Sequence, residues 1–235
     1  MYRELNCQRI IDTLATLGNR IGERFPESGL SRVSGELMEY ARQSGERIDW
    51  LRRPHWPLRL GVAAAILGLV AAVVAAVLLV RVSTQADNVY NLVQGVDAAV
   101  NVLILLAIAI FFLFSLEGRL KRREALKGLH QLRSIAHVID MHQLTKDPEV
   151  VVAPAAATPS SPQRTMTPFE LCRYLDYCSE LLSLISKLAA LHVQYLRDPV
   201  VLGAVNDVEE LTDGLSRKIW QKISIVDREA AKGQE

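Results

Sequence analysis

LGVAAAILGLVAAVVAAVLLV, residues 60–80, holds no charged or hydrogen-bonding side chain. As a helix rising 1.5 Å per residue it reaches about 30 Å, the thickness of a bilayer's hydrocarbon core. A second run, AAVNVLILLAIAIFFLFSL at 98–116, has only Asn101 and Ser115 as polar side chains. Its Leu, Ile, Val and Phe residues each favour insertion by about 0.3–0.6 kcal/mol, enough together to carry Asn101. Core helices of a soluble protein normally keep a polar stripe, and neither run has one. The sequence therefore predicts two transmembrane helices. The first lies too far from Met1 to be read as a cleaved signal peptide.

The flanks set the expected direction. Arg52, Arg53 and Arg59 precede the first span, and Arg119, Lys121, Arg122 and Arg123 follow the second, with Lys127 close behind. Between Ser83 and Asp97 there is no Lys or Arg, only Asp87 and Asp97. The positive-inside rule then puts both chain ends in the cytoplasm. Arg81 can snorkel from the outer end of the first span, and Trp50 and Trp56 fall where an interfacial aromatic belt is expected. The Ala/Val-rich composition suits a bacterial plasma membrane. Lipid is thus the first expected partner, and the basic cluster can also attract anionic headgroups.

Before the membrane, Ile10, Leu14, Leu17 and Ile21 recur at 4-3-4 spacing. Phe25-Pro26-Glu27-Ser28-Gly29 interrupts the pattern, and Leu30, Val33, Leu37, Ala41, Ser44, Ile48 and Leu51 resume it. Each set makes one apolar stripe on a helix. After the second span, Ala125, Leu129, Leu132, Ala136, Ile139 and Gln143 extend a helical stripe with no intervening proline. One helix from about Asp87 to Thr145 is therefore predicted, ending at Lys146-Asp147-Pro148. A Pro/Ala/Ser-rich linker follows. Thr167-Pro168-Phe169-Glu170 restarts helix with a capping box and an early proline. Leu171, Leu175, Cys178, Leu182, Ile185, Ala189, His192 and Leu196 follow at 4-3 spacing. Asp198-Pro199 starts a last helix with Val201, Val205, Val208, Leu211, Leu215 and Ile219 on one face.

These signals give an all-α membrane protein built on a two-helix transmembrane hairpin. The expected segments are amphipathic helices at 1–56, a first span at 57–82, an outer loop at 83–97 and a second span at 98–116. A cytoplasmic stalk helix at 117–147, a linker at 148–166, a helical hairpin at 167–226 and a polar tail at 227–235 complete the chain. The 167–226 hairpin is expected to fold by itself. Because two helices leave apolar surface uncovered, the isolated piece should pair into a four-helix dimer.

Composition excludes some classes of function. A net charge of +1 lacks the basic excess of a nucleic-acid binder. Three scattered cysteines, Cys7, Cys172 and Cys178, make no disulfide framework and read as buried structural thiols. No phosphate loop, nucleophile elbow, zinc pattern or dinucleotide fingerprint occurs. No catalytic residue, cofactor or metal is assigned, and an enzyme is not expected.

Two constellations remain. His130, Arg133, His137 and Asp140 share one face of the stalk. They fit a polar seam against a neighbouring helix, and their types would also suit a pH switch or a divalent metal. Ala64, Gly68, Ala72 and Ala76 make a small-xxx-small ridge that lets helices in lipid approach closely. The ridge suits packing inside the hairpin and packing between protomers equally well. The expected function is a membrane-anchored helical scaffold or adaptor that binds cytoplasmic proteins or copies of itself. An oligomeric channel or pore, with Asp97 and Asn101 near its outer mouth, is the alternative.

Overall fold

In the computed structural model, residues 4–52, 56–83, 89–146, 148 and 166–232 are described. Among them every regular element is an α-helix. The elements are α1 (Cys7–Arg24), α2 (Gly29–Arg52), α3 (Trp56–Ser83), α4 (Val89–Leu144), α5 (Pro168–Tyr195) and α6 (Pro199–Lys232). Residues 149–165 of the expected linker and 84–88 of the expected loop fall outside the described residues, as do the Arg53 backbone and the Arg52 and Arg59 side chains. The chain divides into two compact units. One comprises 1–52 with 124–235, and the other 53–123.

The helix starts follow from local chemistry. Asn6 caps α1 by accepting the Arg9 N–H at 3.2 Å. Thr167 and Glu170 close a reciprocal capping box on α5: the Thr167 N–H donates to Glu170 Oε2 at 2.8 Å, and the Glu170 N–H donates to Thr167 Oγ1 at 3.2 Å. The Thr167 backbone bond, then its hydroxyl, holds the Glu170 carboxyl below its ordinary pKa. Asp198 caps α6 through the Val200 and Val201 N–H groups, at 2.9 and 3.2 Å. Glu27 turns the chain between α1 and α2 with a φ of 60°.

The larger unit has a single apolar core. Its α1 contribution is Ile10, Leu14, Leu17 and Ile21, and α2 adds Leu30, Val33, Leu37, Tyr40 and Ala41. The distal part of α4 adds Ala125, Leu129, Leu132, Ala136 and Ile139. Helix α5 is buried over a wide arc. Besides the predicted stripe it buries Tyr174, Tyr177, Leu181, Leu184, Leu188 and Leu191, a second stripe at 3-4-3-4-3 spacing. Phe25 packs edge-on against Tyr174 and Tyr177, with ring centroids 5.3 and 6.2 Å apart, so this second stripe faces α1. Helix α5 packs on α6, α1 and α2.

In the full chain the apolar surface that the 167–226 hairpin leaves uncovered is met from within: α6 covers one stripe of α5, and α1 and α2 cover the other.

Polar contacts tie the same elements. Lys222 of α6 donates to the Gln143 carbonyl at 2.9 Å and to the Lys146 carbonyl at 3.4 Å, placing a cation at the C-terminal end of α4. Gln194 exchanges two bonds with the Leu5 backbone, at 2.9 and 3.2 Å, and so fastens the residues before α1 to the end of α5. Two glycines permit close approach. Gly29 lies directly against the His142 ring. A Cβ on Gly128 would stand 2.9 Å from Tyr40 Oη and 3.0 Å from His192 Nε2. His192 is buried, and its Nδ1 lies 3.1 Å from the Leu188 carbonyl, which can only accept. The proton is therefore assigned to Nδ1.

In the smaller unit, one helical segment beginning at Val100 is long and apolar enough to cross a membrane, and none of its most apolar stretch is buried. A shorter apolar segment, Leu60–Ala75, lies in α3. Length and composition thus mark one span among the described residues, where the sequence predicts two.

Two predictions follow from the packing. Gly128→Ala should cost about 1–3 kcal/mol by overpacking. Gly35→Ala, in a position on α2 where a Cβ meets nothing within 4 Å, should stabilise by about 0.5–1 kcal/mol. Denaturation of the full chain in detergent, followed by circular dichroism, measures both. The second prediction concerns Cys178, whose thiol is pushed up to about 12 by burial. A raised folded-state pKa gives stability that is complete below the unfolded value and is lost as pH rises towards the folded one. Melting temperature should therefore fall as pH climbs from about 9 to about 12. Cys178→Ala should make that fall shallower.

Candidate functional surfaces

The stalk face is the first candidate. Lys127, His130, Arg133 and His137 are all exposed, as are Gln131 and Ser134 beside them. Their exposure follows from the 4-3 stripe on the other side of α4, which turns Ala125, Leu129, Leu132, Ala136 and Ile139 into the core. Asp140 is half-buried, and its carboxylate accepts the Gln143 Nε2–H at 2.6 Å. Among the described residues no helix covers His130, Arg133 or His137. Among the described residues no group of three His, Cys, Asp or Glu side chains has the geometry to hold a metal ion. His142, excluded from the seam by its spacing, packs against Gly29.

The small-residue ridge lies on α3. Ala64 and Gly68 are exposed, and a Cβ on Gly68 would meet nothing within 4 Å. The side chains of Ala72 and Ala76 fall outside the described residues. Of the basic residues after the apolar run of α4, Lys121 pairs with Glu117 at 3.0 Å. The Arg119 guanidinium lies 5.4 Å from the Phe112 ring centroid. Arg123 is exposed and Arg122 half-buried. Trp56 is exposed, while the Trp50 side chain is not described.

One feature has no signature in the sequence. Arg20, Glu23 and Arg24 of α1 and Arg173 and Tyr177 of α5 line an open cleft of about 240 Å³. The Arg20 and Arg173 guanidinium carbons each lie 5.2 Å from the Tyr177 ring centroid. Arg20 pairs with Glu180 at 3.3 Å and Arg173 with Asp176 at 2.9 Å. Arg24 lies 5.4 Å from the exposed Phe169 ring. With Glu23, Asp176 and Glu180 beside three arginines, the cleft is close to charge balance. That makes it an ion-paired seam between α1 and α5 more than an anion receptor. Its residues lie some 150 positions apart, so only the packing of the two helices assembles them.

The cysteines hold no disulfide. Cys178 is buried, and Cys7 and Cys172 are half-buried. Cys172 Sγ lies 3.6 Å from Asp227 Oδ1, and its thiol is pushed up to about 11, first by burial and then by the Asp227 charge.

Comparison with protein families, curated proteins and solved structures finds no match to this chain. Function has to be read from its surfaces alone.

The ridge gives a prediction. Since a Cβ on Gly68 meets nothing, Gly68→Ile should leave the helicity and melting of the single chain unchanged. If the ridge joins copies in lipid, the same substitution should abolish their cross-linking. Cross-linking in vesicles, set beside melting in detergent, separates the two effects.

Proposed function

We propose that this protein is a membrane-anchored helical scaffold. In this reading α3 and the apolar part of α4 cross the bilayer as a hairpin with both chain ends in the cytoplasm, where the helical bundle offers surfaces to partner proteins or to copies of itself. The observation that carries the reading is the exposed apolar surface of the smaller unit. Leu60, Leu67 and Val74 on α3, and Leu103, Leu105, Ile108, Phe111 and Phe112 on α4, are all exposed. Apolar surface on that scale is unfavourable in water and favourable in hydrocarbon. Arginine and lysine at one side of both apolar runs, and their absence from 83–97, support the direction.

The scaffold reading is preferred to an enzymatic one because the larger unit presents long exposed polar helix faces, such as those of α4 and α6. The alternative is an oligomeric pore. Asp97 and Asn101, one turn apart and exposed, are what favours it.

Reporter fusions test the anchor. Fusions at Met1, Gln85 and Glu235 should read inside, outside and inside, and the protein should stay in the membrane pellet after alkaline carbonate. An outside signal from either chain end, or release by carbonate, overturns the hairpin. Ion flux through vesicles carrying the purified protein would favour the pore over the scaffold.

A further inference from the structure

Two exposed helix faces of the larger unit carry opposite charge at the same spacing. On α4 the outward face holds Lys127, His130 and Arg133 in steps of three, with His137 beyond them. On α6 it holds Asp207, Glu210 and Asp213, again in steps of three. Three residues of helix rise about 4.5 Å, so the two rows repeat in register. None of the four basic residues has an ion-pair partner among the described residues, nor do Asp207 and Glu210. Asp213 pairs with Arg217 at 3.0 Å, an exposed contact that is easily exchanged. Arg217 and Lys218 mark where the acidic stretch stops.

The acidic face is also open. Gly203, four residues before Asp207, and Gly214, four after Glu210, lie on the same side, and a Cβ on either would meet nothing within 4 Å. A helix laid there can come close to the α6 backbone. Across the same helix, Val201, Val205, Val208, Leu215 and Ile219 are buried in the core, which fixes the acidic row outward.

We propose that the occupant of each face is the other face on a second copy of this chain: Lys127, His130 and Arg133 of one molecule lie against Asp207, Glu210 and Asp213 of another. The argument is charge complementarity in matched register, together with the absence, among the described residues, of an ion-pair partner for Lys127, His130 or Arg133. Exposed ion pairs are individually weak, so the contact is reversible and sensitive to salt. It rests on the scaffold reading in its self-assembling form. It supplies the surfaces that the reading leaves unspecified.

The test uses full-length protein in detergent, mixed as nitrogen-14 and nitrogen-15 preparations. A zero-length carbodiimide joins the Lys127 amine to a carboxylate that touches it. Mixed-isotope peptides linking Lys127 to Asp207 or Glu210 are expected at low salt, and their yield should fall on the order of tenfold in high salt. D207K/E210K should abolish the links and weaken association measured by sedimentation, as should K127E/R133E. The chain carrying all four reversals should associate again, since both rows are then inverted. All of these positions are exposed, and circular dichroism checks that each variant keeps its helicity.

Links only within one isotope, unchanged association in either double variant, or failure of the fourfold variant to recover would each overturn the proposal. Carbonate extraction of the same variants reads the anchor separately. Retention in the pellet with no mixed links refutes this contact alone, whereas release from the membrane refutes the anchor and leaves the contact to be judged by its links.

Discussion

Helix α5 has to be covered on two sides, and the rest of the larger unit is arranged around that need. Its stripes, one through Leu175, Cys178, Leu182 and Ile185 and one through Tyr174, Tyr177, Leu181 and Leu184, leave little of its circumference for water. A single neighbour cannot bury both. Helix α6 supplies one wall, and α1 and α2 supply another, with Phe25 wedged against Tyr174 and Tyr177. The distal part of α4 adds its own row of five to the same core. Removing any of these elements would return a row of leucines and tyrosines to solvent, each side chain worth about 1.5–3 kcal/mol of burial. The bundle therefore shares one core, although its segments lie at opposite ends of the chain.

Polar groups complete that body at the places where helices end. Lys222 satisfies carbonyls at the end of α4, Gln194 holds the residues before α1, and Thr167, Glu170 and Asp198 cap the two C-terminal helices. Such groups are costly to leave unmet; at the helix starts they are met by local caps, and at the ends of α4 and α5 by bonds to other segments. Charged side chains remain outside, with scattered apolar ones such as Met141, Phe169 and Trp220. In the smaller unit long aliphatic and aromatic side chains are exposed along the apolar stretches of α3 and α4.

Much of this was legible in the sequence, and the misses are instructive. The stripes of α1 and α2, the caps at Thr167 and Asp198 and the unbroken helix through Leu116 could all be read from spacing and start signals. The second stripe of α5, Tyr174 to Leu191 at 3-4-3-4-3 spacing, lies beside the first in the sequence, and the pair of them explains why two helices alone leave α5 uncovered. His130 and His137 share a helix face as read, but whether that face meets protein or water depends on which way α4 turns. The ion-paired cleft of Arg20, Arg173 and Tyr177 left no trace at all, because neither helix alone has a reason to pair those residues.

The sequence by itself determined where most helices begin, which side of each is apolar, and which runs lack a polar stripe; it placed a tail from Asp227 where α6 in fact continues to Lys232. Those properties are local: they depend on residues within a turn or two along the chain and on the solvent outside it. Only the tertiary structure decided which stripe meets which, that Gly128 admits Tyr40 and His192 to the same spot, and that the α4 and α6 charges face outward. Those outcomes depend on volumes and on the relative rotation of helices joined through distant parts of the chain. Periodicity fixes a face but does not say which neighbour will cover it.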